Sequence, residues 1–219
     1  MTPSKQTIGI IGSGNIGGAL ARAFTRAGHR VVIANSRGPA SLDALVIELG
    51  ELASAGTVER AAQASDLVVV TIPLKAVASI PSDLLTGRVV IDTNNYYPDR
   101  DGHIPELDDE VLTTSEFVAQ HFAGATVVKA FNHIPALHIA EHAQPAGTPE
   151  RRALMIYGED AAAVERVQAL IEEIGFDAVN GGGLAESWRI QRDTPGYGPR
   201  FSAGELAEKL SVARRYSEM

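Results

Sequence analysis

The 219-residue chain has no cysteine, which excludes disulfides, thiolate zinc sites and thiol redox chemistry. Aromatic residues make up only 5% of it, with a single tryptophan, Trp188. Its longest apolar runs are strand-length, so no membrane span is predicted. Positive charge is in deficit: 19 Lys and Arg stand against 27 Asp and Glu, for a net charge of −8. That balance argues against nucleic-acid binding and against adhesion to anionic membranes. Residues 1–7 carry neither the basic nor the apolar region of a signal peptide, so a cytoplasmic location is expected. A further absence is local: no acidic residue occurs between Gly12 and Asp43.

What is present is an ordinary globular composition, 45% hydrophobic and 21% charged, carrying one informative stretch at residues 8–37. An apolar strand (Ile8, Ile10, Ile11) runs into Gly12-Ser13-Gly14-Asn15-Ile16-Gly17, a G-x-G-x-x-G that opens a helix. In such a turn the first glycine permits the tight bend, the second lets the backbone approach a pyrophosphate, and the third allows close helix–strand packing. Ile16, Leu20 and Phe24 recur at i, i+4 and i+8 with Ala19, Ala23 and Ala27 beside them, one apolar stripe facing a sheet. Gly28 closes the helix and Val31 to Ala34 form the next strand. Strand, turn, helix and strand fill about 30 residues, the span of a βαβ unit.

The end of that second strand reads the cofactor's ribose. NAD sites place an Asp or Glu there to accept bonds from the 2′-hydroxyl. Here Asn35, Ser36 and Arg37 occupy the position. A carboxylate would repel a 2′-phosphate, whereas an Arg fork and a Ser hydroxyl suit its oxygens. The residues therefore predict NADP(H) over NAD(H).

Further along, Ser41 is placed as the cap of a helix through about Leu49, and Val58 as a short strand. Leu67 to Ile72, Arg88 to Asp92 and Thr126 to Phe131 are continuous apolar runs of the buried parallel-strand kind. A helix is expected after Pro73, and residues 98–110 as an exposed loop. The alternation predicts an α/β fold, a doubly wound parallel sheet that binds NAD(P), with a small C-terminal α/β extension. Two regions are expected, 1–142 for the nucleotide and 151–219 for the second substrate, separated by the turn-rich stretch 143–150. The extension reads as strand (Ala153 to Tyr157), helix (about Ala161 to Ile174), strand (Phe176 to Val179) and a last helix (about Ala203 to Tyr216). Ligands in such sheets lie beyond the carboxyl ends of the strands. That rule adds Ile72, Pro73, Asn94 and Asn132 to the candidate cofactor residues Gly12, Ser13, Gly14, Asn15, Ile16, Asn35, Ser36 and Arg37. Asn95 and His133 lie at the same ends.

GIIGSGNIGGALARAF, VVIANSRGP, VVVTIP, VVIDTNN and VVKAFNHI, in this order and spacing, resemble the coenzyme F420-dependent NADP oxidoreductases. They are also similar to the nucleotide-binding half of pyrroline-5-carboxylate reductases and of the transmembrane metalloreductases. The resemblance covers residues 7 to about 134. It implies that the glycine loop holds the pyrophosphate, that Ser36 and Arg37 hold the 2′-phosphate, and that F420 is a co-substrate. It also implies a homodimer. The family's reaction is hydride transfer between the nicotinamide C4 and the deazaflavin C5, with no acid, base or covalent nucleophile, so that positioning does the catalysis.

Residues 181–200 depart from the methanogen members of that family and are expected to line the acceptor's pocket. Trp188 is placed there as a stacking platform or as a core residue, and Arg189 or Arg192 as a partner for an anionic tail. His133 is placed to orient or protonate a substrate, and Lys129 and His133 are the evident proton donors for a carbonyl. Lys129 is read as a strand residue paired with a carboxylate. His138-Ile139-Ala140-Glu141-His142 matches H-x-x-E-H, but a nucleotide-binding sheet precedes it and no peptidase domain accompanies it, so no metal is assigned. Three functions remain open: hydride transfer between NADPH and a deazaflavin or flavin-like acceptor, reduction of a small imine or carbonyl, and non-catalytic sensing of NADPH.

Overall fold

A computed structural model describes residues 5–219; the sequence reading of residues 1–4 lies outside them. Among the described residues eight strands form one sheet in the order β3-β2-β1-β4-β5-β6-β7-β8. They are β1 (Thr7–Ile11), β2 (Arg30–Ala34), β3 (Ala53–Ala55), β4 (Leu67–Val70), β5 (Val89–Asp92), β6 (Thr126–Lys129), β7 (Ala153–Gly158) and β8 (Asp177–Asn180). The first six are parallel. The order reverses between β1 and β4, and there a cleft opens beyond the carboxyl ends of the strands.

Among the described residues nine α-helices accompany the strands: α1 (Asn15–Arg26), α2 (Asp43–Leu49), α3 (Val58–Gln63), α4 (Pro98–Asp101), α5 (Pro105–Asp108), α6 (Thr114–His121), α7 (Ala136–Glu141), α8 (Ala161–Glu173) and, after β8, α9 (Ala203–Ser211). Among the described residues none is long and apolar enough to cross a membrane. The period-2 alternation of the strands sorts the core onto two faces. Ile8, Ile10, Val31, Ile33, Leu67 and Val69 pack against Leu20 and Phe24 of α1 and Val167 and Ile171 of α8. Ile11, Val32, Val68, Val70 and Val90 face Ala61 of α3, Val77, and Val118 and Phe122 around α6. Burial on both faces is the reason these strands read as unbroken apolar runs.

The structure corrects several sequence boundaries. Val58 begins α3, capped by the Thr57 side chain, which accepts from the Arg60 N–H at 3.2 Å; the edge strand is Ala53–Ala55. Ser41 lies inside a 3-10 turn (Pro39–Leu42) that precedes α2. The segment after Pro73 is a 3-10 run, Leu74–Ser79, and not an α-helix. Residues 98–110 contain two single-turn helices, α4 and α5, each started by a proline whose missing N–H costs nothing there. The last helix stops at Ser211.

At the far edge β7 runs antiparallel to β6 and meets it only at Val128–Gly158 and Lys129–Tyr157. Most of β7, with β8 paired parallel to it, therefore extends past the carboxyl end of β6. This overhang carries the segment that follows β8 back across the strand ends where the cleft lies.

Candidate functional site

The cleft is built from the glycine turn outward. Gly12 has φ of +117°, and a Cβ on it would come within 2.1 Å of the Thr71 carbonyl oxygen. A Cβ on Gly17 would come within 2.0 Å of the Gly12 carbonyl oxygen. Gly14 has nothing within 4 Å of where its Cβ would stand, so the packing of the chain does not demand a glycine there. The first helical bond of α1 runs from the Gly18 N–H to the Gly14 carbonyl at 2.9 Å, leaving the N–H groups of Asn15, Ile16 and Gly17 without intrahelical partners. No acidic residue occupies that first turn, so the positive end of the helix dipole faces the opening.

Two cavities meet at this turn. One, of about 400 Å³, runs outward past Ser13, Asn35, Ser36 and Arg37 and is floored by Val58 and Ile80. The other, of about 410 Å³, runs over the strand ends past Asn94, Phe131, Asn132 and Tyr197. Gly14, Thr71, Ile72 and Pro73 line both. The result is one cleft with the glycine turn at its waist.

At the outer end Asn35 takes the place of the ribose-binding acid and organises the loop. Its Nδ2 donates to Ser13 Oγ at 3.0 Å and Ser41 Oγ at 2.9 Å, while its Oδ1 accepts from the Arg37 N–H at 2.9 Å. Ser36 and Arg37 are thereby held exposed at the rim.

At the inner end a buried charge pair fixes the tips of β5 and β6. Lys129 Nζ donates to Asp92 Oδ2 at 3.1 Å and also to the Asn94 carbonyl; Ser115 Oγ donates to the same carboxylate at 2.6 Å. Burial pushes the Lys129 ammonium below its ordinary range, against the pull of Asp92. The pair presents Asn94, whose side chain is 3% exposed and whose Nδ2 and Oδ1 both lack partners. An orphaned donor and acceptor on one buried amide complement a carboxamide. Together with the uncapped N–H groups at Gly14, this shows that the residues present fit a nicotinamide dinucleotide.

Asn95 and Asn132 are bound to each other. Asn132 Nδ2 donates to Asn95 Oδ1 at 3.1 Å and to the Ile190 carbonyl at 2.9 Å, and Asn95 Nδ2 donates to the Asn132 carbonyl at 2.8 Å. Phe131 sits between them and the sheet at φ of +61°, strain that a bulky residue adopts only when its surroundings fix it. This turn ends β6 at Lys129, two residues earlier than the apolar run implies.

His133 is placed differently from the sequence expectation. Its ring is 2% exposed and absent from the cleft wall. Nε2 accepts from the Met155 N–H at 3.1 Å and Nδ1 faces Asn132 Oδ1 at 3.3 Å. Burial, with Arg152 and Lys129 nearby, pushes its pKa down to about 3. A neutral imidazole with both nitrogens engaged supports the β7 overhang. Trp188 is also buried, flanked by Arg189 and Arg215 with guanidinium carbons 4.4 and 4.8 Å from its ring. It borders cavities of only about 20 and 10 Å³, room for water and not for a flat ligand. The H-x-x-E-H side chains do gather on α7, with their ligand atoms within 4.8 Å of one another. Both imidazole Nδ1 atoms, however, face Nη1 of the buried Arg152, at 3.1 and 2.9 Å.

Sequence reading missed Tyr97 and Arg100 of the inner cleft, and placed Tyr197 only within the segment 181–200 expected to line the acceptor's pocket. The signal available was an aromatic set among turn residues in Asp193-Thr194-Pro195-Gly196-Tyr197-Gly198, a loop position where a ring has no folding duty of its own.

The comparisons agree with this geometry. A family model described as NADP oxidoreductase, coenzyme F420-dependent, matches residues 7–96. The crystal structure of a hypothetical protein from Sinorhizobium meliloti is 34% identical, with a TM-score of 0.76 over 91% of this chain and 96% of that one. A candidate F420-dependent NADP-reductase from Arthrobacter sp. FB24 shares the fold at 22% identity and a TM-score of 0.68, over 84% of this chain and 87% of that one. Rat (Rattus norvegicus) metalloreductase STEAP3 is 26% identical over 186 residues, 84% of this chain but only 35% of that protein; the chain thus spans about a third of that relative's length. With the family model on residues 7–96 and a 34%-identical relative matched almost end to end, the chain belongs to the family of coenzyme F420-dependent NADP oxidoreductases.

Proposed function

We propose that this NADP-dependent oxidoreductase passes hydride between NADPH and a deazaflavin, coenzyme F420, or a flavin-like acceptor. The observation that carries the reading is the single cleft joined at the glycine turn, with a phosphate-suited rim at one end and a half-buried hollow over the strand ends at the other. When bound, the cofactor supplies hydride from its nicotinamide C4. The chain's residues bind and orient. The N–H groups of Asn15 and Ile16 take the pyrophosphate, and Ser36 and Arg37 the 2′-phosphate. Asn94 takes the carboxamide, and Phe131, Ile134 and Pro135 keep water from one face. An acceptor stacked at reacting distance then needs chiefly positioning. The homodimer implied by the family resemblance is part of the same reading and is measured by light scattering.

NADPH is offered with coenzyme F420, FMN, menadione or small ketones and imines while nicotinamide absorbance is followed. Consumption with F420 or FMN is the expected result. Consumption only with a ketone or imine would replace the acceptor, and tight NADPH binding with no turnover across the panel would make the protein a sensor.

A further inference from the structure

Two phenols face one another in the inner cleft. Tyr97 lies on the loop after β5, two residues beyond Asn95, and Tyr197 lies 100 residues further along the chain. Their Oη atoms are 2.7 Å apart. Asn95 Nδ2 donates to Tyr197 Oη at 3.3 Å. Both rings line the same cavity as Asn94 and Asn132. The loop that bears Tyr197 is pinned on both sides: the Gly198 N–H donates to the His133 carbonyl at 3.0 Å, and the Tyr197 N–H donates to the Thr194 carbonyl at 3.1 Å. Arg100 and Arg192 place their guanidinium carbons 4.7 and 5.5 Å from the centre of the Tyr97 ring.

A hydroxyl that accepts two hydrogen bonds keeps its own proton to give. When Tyr97 donates to Tyr197, the Asn95 amide and the Tyr97 hydroxyl both end on Tyr197 Oη, and the Tyr197 proton is left for a group in the cleft. The geometry points to Tyr197 as a general acid, with Tyr97 as its proton relay and Asn95 as its positioning residue, serving an acceptor whose reduction places a proton on oxygen or nitrogen as well as a hydride on carbon. This rests on the hydride-transfer reading above and goes beyond the positioning-only chemistry that the family resemblance implies.

The acceptor carbon gains hydride with its electron pair, and the π electrons of its double bond move onto X, O or N, directly in a C=X acceptor or through the conjugated ring to a nitrogen in a deazaflavin. A new X–H bond forms with the Tyr197 proton as the Tyr197 O–H bond breaks. Tyr197 Oη regains a proton from Tyr97, and solvent at the cleft mouth restores that one. Burial holds the Tyr197 hydroxyl above its ordinary value, with Arg192 opposing it. Tyr197 thus enters each cycle protonated at neutral pH. The two guanidinium groups beside Tyr97 stabilise negative charge that passes through the pair.

The test uses the full-length protein and its Tyr197→Phe and Tyr97→Phe variants, with NADPH and coenzyme F420. Removing the acid should lower kcat about 100-fold and removing the relay about tenfold, the scale of general acid catalysis. NADPH affinity, read by cofactor fluorescence, and the thermal midpoint should stay at the parent's values. The parent should show a solvent deuterium isotope effect on kcat that Tyr197→Phe abolishes. Independently of turnover, alkaline titration of phenolate absorbance should show Tyr197 ionising at higher pH in Tyr97→Phe, because the hydrogen bond donated to its phenolate is gone. Unchanged kcat in Tyr197→Phe, or no solvent isotope effect in the parent, would overturn the acid role while leaving the F420 reading intact. If only a ketone or imine is reduced, the same variants are read with that substrate, so the F420 reading falls and the acid role is still judged. A parent that oxidises NADPH with no acceptor overturns both.

Discussion

Arg37 stands exposed at the rim of the cleft, its backbone N–H tied to Asn35 Oδ1, so its guanidinium is placed without being engaged by the loop. Arg37→Ala should weaken NADPH binding by about 1.5–3 kcal/mol, the worth of a hydrogen bond to a charged group, or roughly ten- to a hundredfold. NADH binding should be unchanged, and fluorescence titration with both cofactors checks the pair of outcomes. An equal loss for both would move the 2′-phosphate elsewhere. This end of the site was legible in the sequence because Asn35, Ser36 and Arg37 follow their own strand directly. His133 was not legible in the same way. Its partner, the Met155 N–H, lies 22 residues on, across a strand reversal that no local pattern announces. The imidazole that a strand-end position offers to a substrate is consequently spent on the backbone of β7.

At the scale of elements, the decisive contact is Arg152 at the start of β7. It is 1% exposed, and Nη2 donates to the Gly198 and Pro199 carbonyls at 2.9 and 3.1 Å, while Nη1 reaches His138 and His142 of the α7 segment. One side chain therefore ties α7, β7 and the loop bearing Tyr197. Burial, with Arg200 adding to it, lowers its pKa to about 10, so it remains a cation at neutral pH. Arg152→Met should destabilise the protein by about 2–4 kcal/mol, since two carbonyls lose a charged donor in a buried place. The acceptor's KM should rise while NADPH affinity holds, because the glycine turn is untouched; urea unfolding and steady-state kinetics report the two effects. The H-x-x-E-H motif illustrates what a sequence match leaves out. Helical spacing brought the two imidazoles together, as expected, but the cation that faces them comes from β7.

For the whole molecule, acid stability follows from the buried His133. Its folded-state pKa of about 3 lies below the ordinary value of 6.5, so the native state binds fewer protons than the unfolded chain between those pH values. Stability from this group is complete above pH 6.5 and is lost as pH falls towards 3. Over 3.5 units at 1.36 kcal/mol each, the loss amounts to about 5 kcal/mol. His133→Gln keeps an acceptor for the Met155 N–H without titrating. Denaturant unfolding at a series of pH values should give the parent a steeper decline than this variant, and parallel declines would contradict a neutral buried ring. The same packing that lowers this pKa holds the overhang of β7 and β8 above the cleft.

The sequence by itself determined the nucleotide half: the parallel strands through their apolar runs, the glycine turn through its spacing, and the NADP-suited rim through the missing acid. Each of these is a local demand, met by residues within one βαβ unit or one strand, so it is written in consecutive positions. Tertiary structure alone decided the inner half. The reversal of β7, the burial of His133 and Trp188, and the meeting of Tyr97 with Tyr197 across 100 residues depend on where the sheet's far edge folds back. Periodicity records which face of an element is buried; it does not record what that face will meet.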